Sequence, residues 1–288
     1  MIVDAAPKRI LVIGDLHTDW DVFRFILTKR GLIDDSGDWC GEDTWVVCMG
    51  DIFDGLRPEI APPGEYSAKA MERRLVDDIL RLDSMAQAVG GRVLSIMGNH
   101  DVCAHMSMNS RYAKQSDISS YAEDGVDRRT ELTPGGDLIT KLSKVWPMIL
   151  VINRFVFVHG SLEPRLLART EGRGLEKITQ LNGDLVEFLA GRSEAGWTER
   201  GYNPLFSRYF SVEGPRRKSA LKETFSLLGN SVNTMFLGHT VCPRVTGLFG
   251  NRVICTDVGL SRAFGESPVE VVEIRDDAMY RIRIKRSE

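Results

Sequence analysis

Five short motifs in this 288-residue chain carry residue types that bind metals, and each has a glycine close beside the polar group. They are Gly14-Asp15-Leu16-His17, Gly50-Asp51-Ile52-Phe53-Asp54, Gly98-Asn99-His100-Asp101, His159-Gly160 and Gly238-His239-Thr240. Aspartate, asparagine and neutral histidine are borderline-to-hard ligands, suited to manganese, iron or zinc without help from thiolates. A carboxylate shared between two cations, with separate ligands on either side, makes a two-metal centre of about 3.5–4 Å spacing. Such a centre clamps a phosphate and acidifies a bridging water. Any one motif alone is weak, because Gly-Asp after a strand is commonly a turn and an isolated histidine commonly packs in a core. Their joint occurrence is more specific: of five histidines, four (His17, His100, His159, His239) fall in these settings. The fifth, His105, reads as a loop histidine.

All five motifs follow apolar, β-branched runs of strand length. Ile10–Ile13, Trp45–Met49, Val93–Met97, Phe155–Val158 and Thr234–Leu237 each lead into one, and Ile149–Ile152 and Val253–Cys255 are runs of the same kind. Runs of this length bounded by turn residues predict buried strands, and ligands of open α/β sheets bind outside the carboxyl ends of strands. Between them lie helical patterns. Met71, Leu75, Ile79, Leu82, Met85 and Val89 recur at spacings of three and four within 67–89, ahead of Gly90-Gly91. Val22, Phe25 and Ile26 make a shorter stripe, with Thr18 or Asp19 as its cap and Gly31 at its end; Leu221, Phe225 and Leu228 make another before Gly229. The alternation predicts an α/β fold with helices covering sheet. Prolines 58, 62 and 63 predict a loop over 57–66. Two polar, glycine-punctuated stretches, about 102–145 and 162–230, read as partly helical insertions on one face of a single domain spanning 1–288.

Composition narrows the class without choosing within it. Hydrophobic residues at 43% and charged residues at 27% exclude a disordered or collagen-like chain. A formal net charge of −3 offers no global basic field for a nucleic-acid polymer or an anionic membrane. Cys40, Cys48, Cys103, Cys242 and Cys255 are odd in number and lack C-x-x-C spacing, which points to a reducing compartment. With neither a secretory leader nor an apolar run of about 20 residues, a cytoplasmic location is expected.

In this order the five motifs resemble those of the calcineurin-like metallophosphoesterase superfamily, D-x-H, G-D-x-x-D, G-N-H-[DE], H and G-H. The resemblance is stronger to the phosphoprotein phosphatases, and within them to the bacterial Shewanella-like branch. Gly90-Gly91-Arg92-Val93 before the third motif and Thr256-Asp257-Val258-Gly259-Leu260-Ser261-Arg262-Ala263-Phe264-Gly265 near the end carry that narrower likeness. It implies a four-layer α/β/β/α sandwich and two divalent metals, manganese first, with iron or zinc also fitting. By the same resemblance Asp15, His17 and Asp51 hold the first metal, Asp51 bridges, and Asn99, His159 and His239 complete the second. His100 corresponds to the general acid, held by Asp54, and Asn99 also meets substrate.

The chain departs from the pattern at three places. Gly55 stands where the family usually has a phosphate-clamping arginine, and Arg57, Arg208 and Arg111 are the candidates to take its part. Asp101 stands where phosphoprotein phosphatases usually carry glutamate, and Thr240-Val241 follow His239 without the second histidine of the broader superfamily. Asp257 is a candidate to orient ligands from behind. The implied reaction is hydrolysis of phosphomonoesters by a metal-bridging hydroxide, on phosphoserine or phosphothreonine in proteins and within reach of phosphotyrosine. The alternative is a nucleotide or dinucleoside polyphosphate phosphohydrolase on the same centre. A catalytically dead phospho-binding scaffold is disfavoured because all six presumed ligands and His100 are present. The implied partner is a phosphorylated protein or a small phosphorylated substrate, with no nucleic-acid polymer and no membrane.

Overall fold

The protein is described by a computed structural model covering residues 1–3, 7–60, 64–103, 111–194, 203–265 and 267–285. His105 and Pro62-Pro63 lie outside these. The seven runs expected as strands are strands, within a residue or two at their ends: β2 (Arg9–Ile13), β3 (Trp45–Cys48), β4 (Arg92–Ser95), β5 (Ile149–Ile152), β6 (Phe155–Val158), β7 (Thr234–Leu237) and β9 (Val253–Cys255). Four more appear: β1 (Ile2–Val3), β8 (Thr246–Leu248), β10 (Val269–Arg275) and β11 (Ala278–Ile284). The last two form a hairpin whose turn residues, Asp276 and Asp277, both have left-handed backbone (φ 47° and 63°), as a tight two-residue connection of twisted strands requires. No continuous apolar run marks β10, because Val-Glu-Val-Val-Glu-Ile-Arg sets glutamates among its hydrophobes, although the strand is mostly buried, Glu273 included.

The strands build two sheets, ordered β11-β10-β2-β3-β4 and β1-β5-β6-β7-β9-β8. In the first, β2, β3 and β4 run parallel; in the second, β6, β7 and β9 do. Parallel pairing brings the carboxyl ends of neighbouring strands to one edge, so the loops that carry the motifs leave each sheet together. A single cluster of buried side chains runs through both sheets and the helices around them, giving the α/β/β/α layering.

Helix α1 (Trp20–Lys29) is capped by Asp19, whose carboxylate accepts from the Val22 amide at 3.2 Å. Its buried face is Val22, Phe23, Ile26 and Leu27; Phe25, expected in the stripe, is only half-buried. Helix α2 (Glu72–Gln87) buries Leu75, Val76, Ile79, Leu82 and Ala86. It stops short of the expected 67–89: Val89 lies beyond its end and is 55% exposed, and Met85 is half-buried. Residues 65–68 form a 3-10 turn instead. The third motif itself opens α3 (Asn99–Val102). The stretch expected as the first insertion carries the short helices α4 (Gln115–Glu123), α5 (Arg128–Leu132) and α6 (Asp137–Ser143), and the stretch expected as the second carries α7 (Pro164–Arg169), α8 (Glu176–Leu189) and α9 (Pro215–Leu227). Among the described residues no helix is long and apolar enough to cross a membrane.

Candidate metal centre

The two sheets meet at the strand ends through the motif residues themselves. His159, after β6, sets its Nδ1 2.7 Å from the carbonyl of Met49 at the end of β3. His239, after β7, donates its backbone N–H to Asp15 Oδ2, beyond β2, at 2.9 Å. A carbonyl only accepts, so His159 Nδ1 carries a hydrogen and Nε2 is the nitrogen turned inward, toward Asn99 and Asp51. Ligand histidines are commonly oriented in this way. His17 has Nδ1 3.3 Å from Phe53 O, and His239 has Nε2 3.1 Å from Phe206 O, so one ring nitrogen of each is tied to backbone.

Two groups of donor atoms result, and Asp51 belongs to both. Asp15, His17 and Asp51 each bring a ligand atom within 4.8 Å of the others, and so do Asp51, His159 and His239. His159 Nε2 lies 3.3 Å from Asp51 Oδ1 and 3.0 Å from Asn99 Oδ1, which places Asn99 with the second group. His17 Nε2 is 3.7 Å from Asp51 Oδ2. All six residues expected as ligands are therefore gathered at one edge, and the carboxylate common to both groups is Asp51.

The surroundings fit a cation. Asp15 Oδ1 is buried without a hydrogen-bond partner among the described residues, and a buried, unpaired carboxylate oxygen is costly unless a positive charge meets it. Gly238 is needed beside it, since a Cβ there would stand 2.4 Å from that oxygen; at Gly98 a Cβ would stand 2.2 Å from Asp51 Oδ1. Burial, then the charge of Asp257, pushes Asp15 well above the usual carboxylate range. Burial also opposes the charge of Asp51, but His159 and His100 hold it well below that range. His17 is lowered well below its usual value by burial and by Arg57, and His239 to about 3 by burial and by His159, which favours in both the neutral imidazole, the form that ligates. His159 goes the other way: burial would lower it, but Asp51 and Asp15 carry it up to about 10. A divalent ion in this acidic pocket answers the same demand for positive charge.

Behind the donors, Asp101 locks two loops together. Its carboxylate accepts from the backbone N–H groups of Gly98 (2.7 Å), Asp51 (2.9 Å), Ile52 (2.7 Å) and Phe53 (3.2 Å). The shorter side chain thus fills the third motif's last position by holding the second motif in place. Asp257, buried and raised to about 6 by burial, accepts from the Gly259 amide; its influence on Asp15 is through its charge.

His100 is next to the donors and 20% exposed, with Nδ1 2.8 Å from Asp54 Oδ2 and its backbone N–H donated to Asp51 Oδ1 at 2.8 Å. The three arginine candidates separate clearly. Arg57 is buried, and its Nη2 lies 2.8 Å and 3.0 Å from the two ring nitrogens of His17. Its Nη1 donates to the carbonyls of Asp54 and Leu56, and its guanidinium lies against the rings of Tyr112 and Phe264. Gly55 explains the displacement by two residues: a Cβ there would meet Thr18 Oγ1 at 2.2 Å and Lys114 Cε at 3.0 Å, leaving no path for a side chain. Arg208 is exposed and donates to His239 O (2.6 Å) and Thr240 Oγ1 (2.9 Å), at the opposite rim. Arg111 is not brought to the donors: its side chain is 63% exposed, 3.8 Å from Glu59 and stacked on Tyr112. Arg128, which sequence reading passes over, is fully buried and bonded to both Glu72 and Asp54.

Two sheets whose parallel strands deliver paired Asp/His groups around one shared carboxylate are the framework of a metal-dependent phosphoesterase. Residues 8–243 match the calcineurin-like phosphoesterase family, and the chain belongs to it. It is similar to Shewanella-like protein phosphatase 2 of Arabidopsis thaliana, at 26% identity over 96% of this chain and 77% of that protein. It is also similar to Shewanella-like protein phosphatase 1 of Plasmodium berghei, at 27% identity over 54% of this chain and 39% of that one. Among solved structures, a cold-active protein tyrosine phosphatase of a psychrophilic Shewanella species has the same fold, with a TM-score of 0.74 at 21% identity, covering 99% of this chain and 82% of the other. A serine/threonine phosphatase of Saccharomyces cerevisiae shares the fold with a TM-score of 0.65 at 12% identity, covering 100% and 84%. The protein is a phosphoesterase, a hydrolase whose family implies divalent metal ions.

Proposed function

We propose that this chain is a dinuclear phosphomonoesterase that removes phosphate from phosphoserine and phosphothreonine in proteins, with phosphotyrosine within its range. The observation that carries the two-metal reading is Asp51, whose carboxylate is common to two groups of protein ligands. Asp15, His17 and Asp51 would hold one ion, and Asp51, Asn99, His159 and His239 the other. Bound there, the ions supply Lewis acidity toward phosphate oxygens and acidify water. Arg57, fixed between two aromatic rings, presents a guanidinium to the phosphate with little ordering left to do on binding. His100, oriented by Asp54, donates a proton to the departing alkoxide. The names of the Arabidopsis and Shewanella relatives support a protein substrate.

A panel of phosphoserine, phosphothreonine and phosphotyrosine peptides beside nucleotides and dinucleoside polyphosphates, ranked by kcat/KM with added Mn²⁺, tests the reading. Phosphopeptides should lead. A nucleotide at the head of the ranking would transfer the same centre to small-molecule phosphohydrolysis.

A further inference from the structure

Three charged side chains stand behind His100 with almost no access to water. Glu72 and Arg128 are fully buried, and Asp54 is 1% exposed. Arg128 opens α5, in the first insertion. Its Nε donates to Glu72 Oε1 at 2.7 Å, and its Nη2 is shared between Glu72 Oε2 at 2.8 Å and Asp54 Oδ1 at 3.1 Å. The other oxygen of Asp54, Oδ2, is the one that meets His100 Nδ1. Glu72 also accepts from the Asp54 backbone N–H at 3.4 Å, and its own backbone N–H, at the start of α2, donates to Asp117 Oδ1 of α4 at 3.0 Å. The line therefore runs from a helix terminus through Glu72, Arg128 and Asp54 to the imidazole at the mouth of the site.

Burying two carboxylates and a guanidinium gives little net stability compared with an apolar filling of similar shape, so stability alone accounts poorly for this group. Orientation accounts for it better. Asp54 has left-handed backbone (φ 65°), a strained conformation that persists only where its surroundings hold it. The planar fork of Arg128 meets Glu72 with two nitrogens while reaching Asp54 with one, a geometry that lysine cannot reproduce. We infer that Arg128, anchored by Glu72, is a positioning residue that aims Asp54 and through it His100 at the leaving group. The 102–145 insertion thereby enters the catalytic geometry. This rests on the reading of His100 as the proton donor.

The test compares an alkyl phosphate, which needs a proton for its leaving group, with 4-nitrophenyl phosphate, which does not, at matched metal occupancy. Arg128→Lys, Arg128→Gln, Glu72→Gln and His100→Asn are measured together, with melting temperatures. The Arg128 variants should lose about 10–100-fold on the alkyl ester, a part of the ~10²–10⁴-fold of the acid itself, and much less on the aryl ester. Lysine should retain more than glutamine. Added to Asp54→Asn, Arg128→Lys should leave the alkyl-to-aryl ratio unchanged, because nothing remains to be aimed. If Arg128→Gln does not fold, Arg128→Lys and Glu72→Gln carry the comparison. Equal loss on both esters in the Arg128 variants, or a further fall in the ratio on the Asp54→Asn background, would overturn the inference. If His100→Asn is selective and the Arg128 variants are not, the positioning role fails alone. If His100→Asn is itself unselective, the acid reading fails and takes this one with it.

Discussion

His17, Asp51, Asp54 and His239 all have left-handed backbone, with φ of 39°, 51°, 65° and 63°. For residues other than glycine this costs on the order of 1–3 kcal/mol each and persists only where neighbours enforce it. The enforcement is visible: the His17 amide donates to Asp51 O at 2.8 Å, and Asp101 gathers the amides after β3. The donors are thus held at the strand ends before any ligand arrives. Because Asp51 serves both groups, Asp51→Asn should be among the most damaging single changes, abolishing measurable turnover and cutting the number of bound metal ions found by elemental analysis. Arg57 and Arg208 should differ in consequence. Arg57→Ala removes a buried, ring-clamped cation and should cost roughly 2–4 kcal/mol in kcat/KM, as for loss of one preorganised electrostatic stabiliser. Arg208→Ala, at the exposed rim, should cost less. Unchanged kcat/KM in both Arg57→Ala and Arg208→Ala would leave the metals as the only grip on phosphate. At His100, replacement by asparagine should slow alkyl phosphates by ~10²–10⁴-fold while sparing esters of acidic phenols; a uniform loss would make His100 structural.

Elements carry these residues by borrowing support from one another. Helix α2 starts at Met71 without a side-chain cap of its own. Instead Asp117 Oδ1, from α4, accepts from the amides of Met71 and Glu72 at 2.6 and 3.0 Å, while its other oxygen lies 3.3 Å from buried Lys114. Asp117→Ala should therefore remove a cap and leave a buried ammonium without its carboxylate, destabilising the fold by about 3 kcal/mol or more in denaturant unfolding. A loss within a few tenths would show that solvent reaches Lys114. Such remote caps explain where sequence reading ran out. Asp19 capping α1 is local and was legible, and so were the strand runs. Asp117 is 45 residues from the amide it caps at Glu72, and no local pattern announces it. The β10–β11 hairpin carries no continuous apolar run because charged residues interrupt its hydrophobes even where β10 is buried, and only its two-residue Asp-Asp turn is legible.

For the whole molecule, the two sheets are joined at one edge by the same groups that are proposed to bind cations. His159 is raised to about 10 by Asp51 and Asp15, so it holds a proton at neutral pH, whereas a ligand imidazole must be neutral. Loading with Mn²⁺ should release protons, and affinity should weaken as pH falls, since protons compete for the same nitrogen. Calorimetry in buffers of different ionisation enthalpy reads the proton count directly; pH-independent affinity would place His159 outside the ligand set. Chelation should abolish turnover and lower the melting temperature, with Mn²⁺ restoring both, because ions that bind only the folded state stabilise it by mass action. Full activity of the demetallated protein would end the two-metal reading.

What the sequence determined alone was the inventory and its order: strand runs ending in Asp, Asn and His beside glycine, spaced so that a parallel sheet must bring them to one edge. Periodicity and residue type are local properties, and they suffice for that. Tertiary structure alone decided which arginine faces the donors, because the space around Gly55 is filled by Thr18 and Lys114 from distant segments. It alone placed Arg128 of α5 behind Asp54, a contact across 74 residues. Desolvation and pairing of buried charges depend on which groups meet in space, and sequence separation carries no record of that.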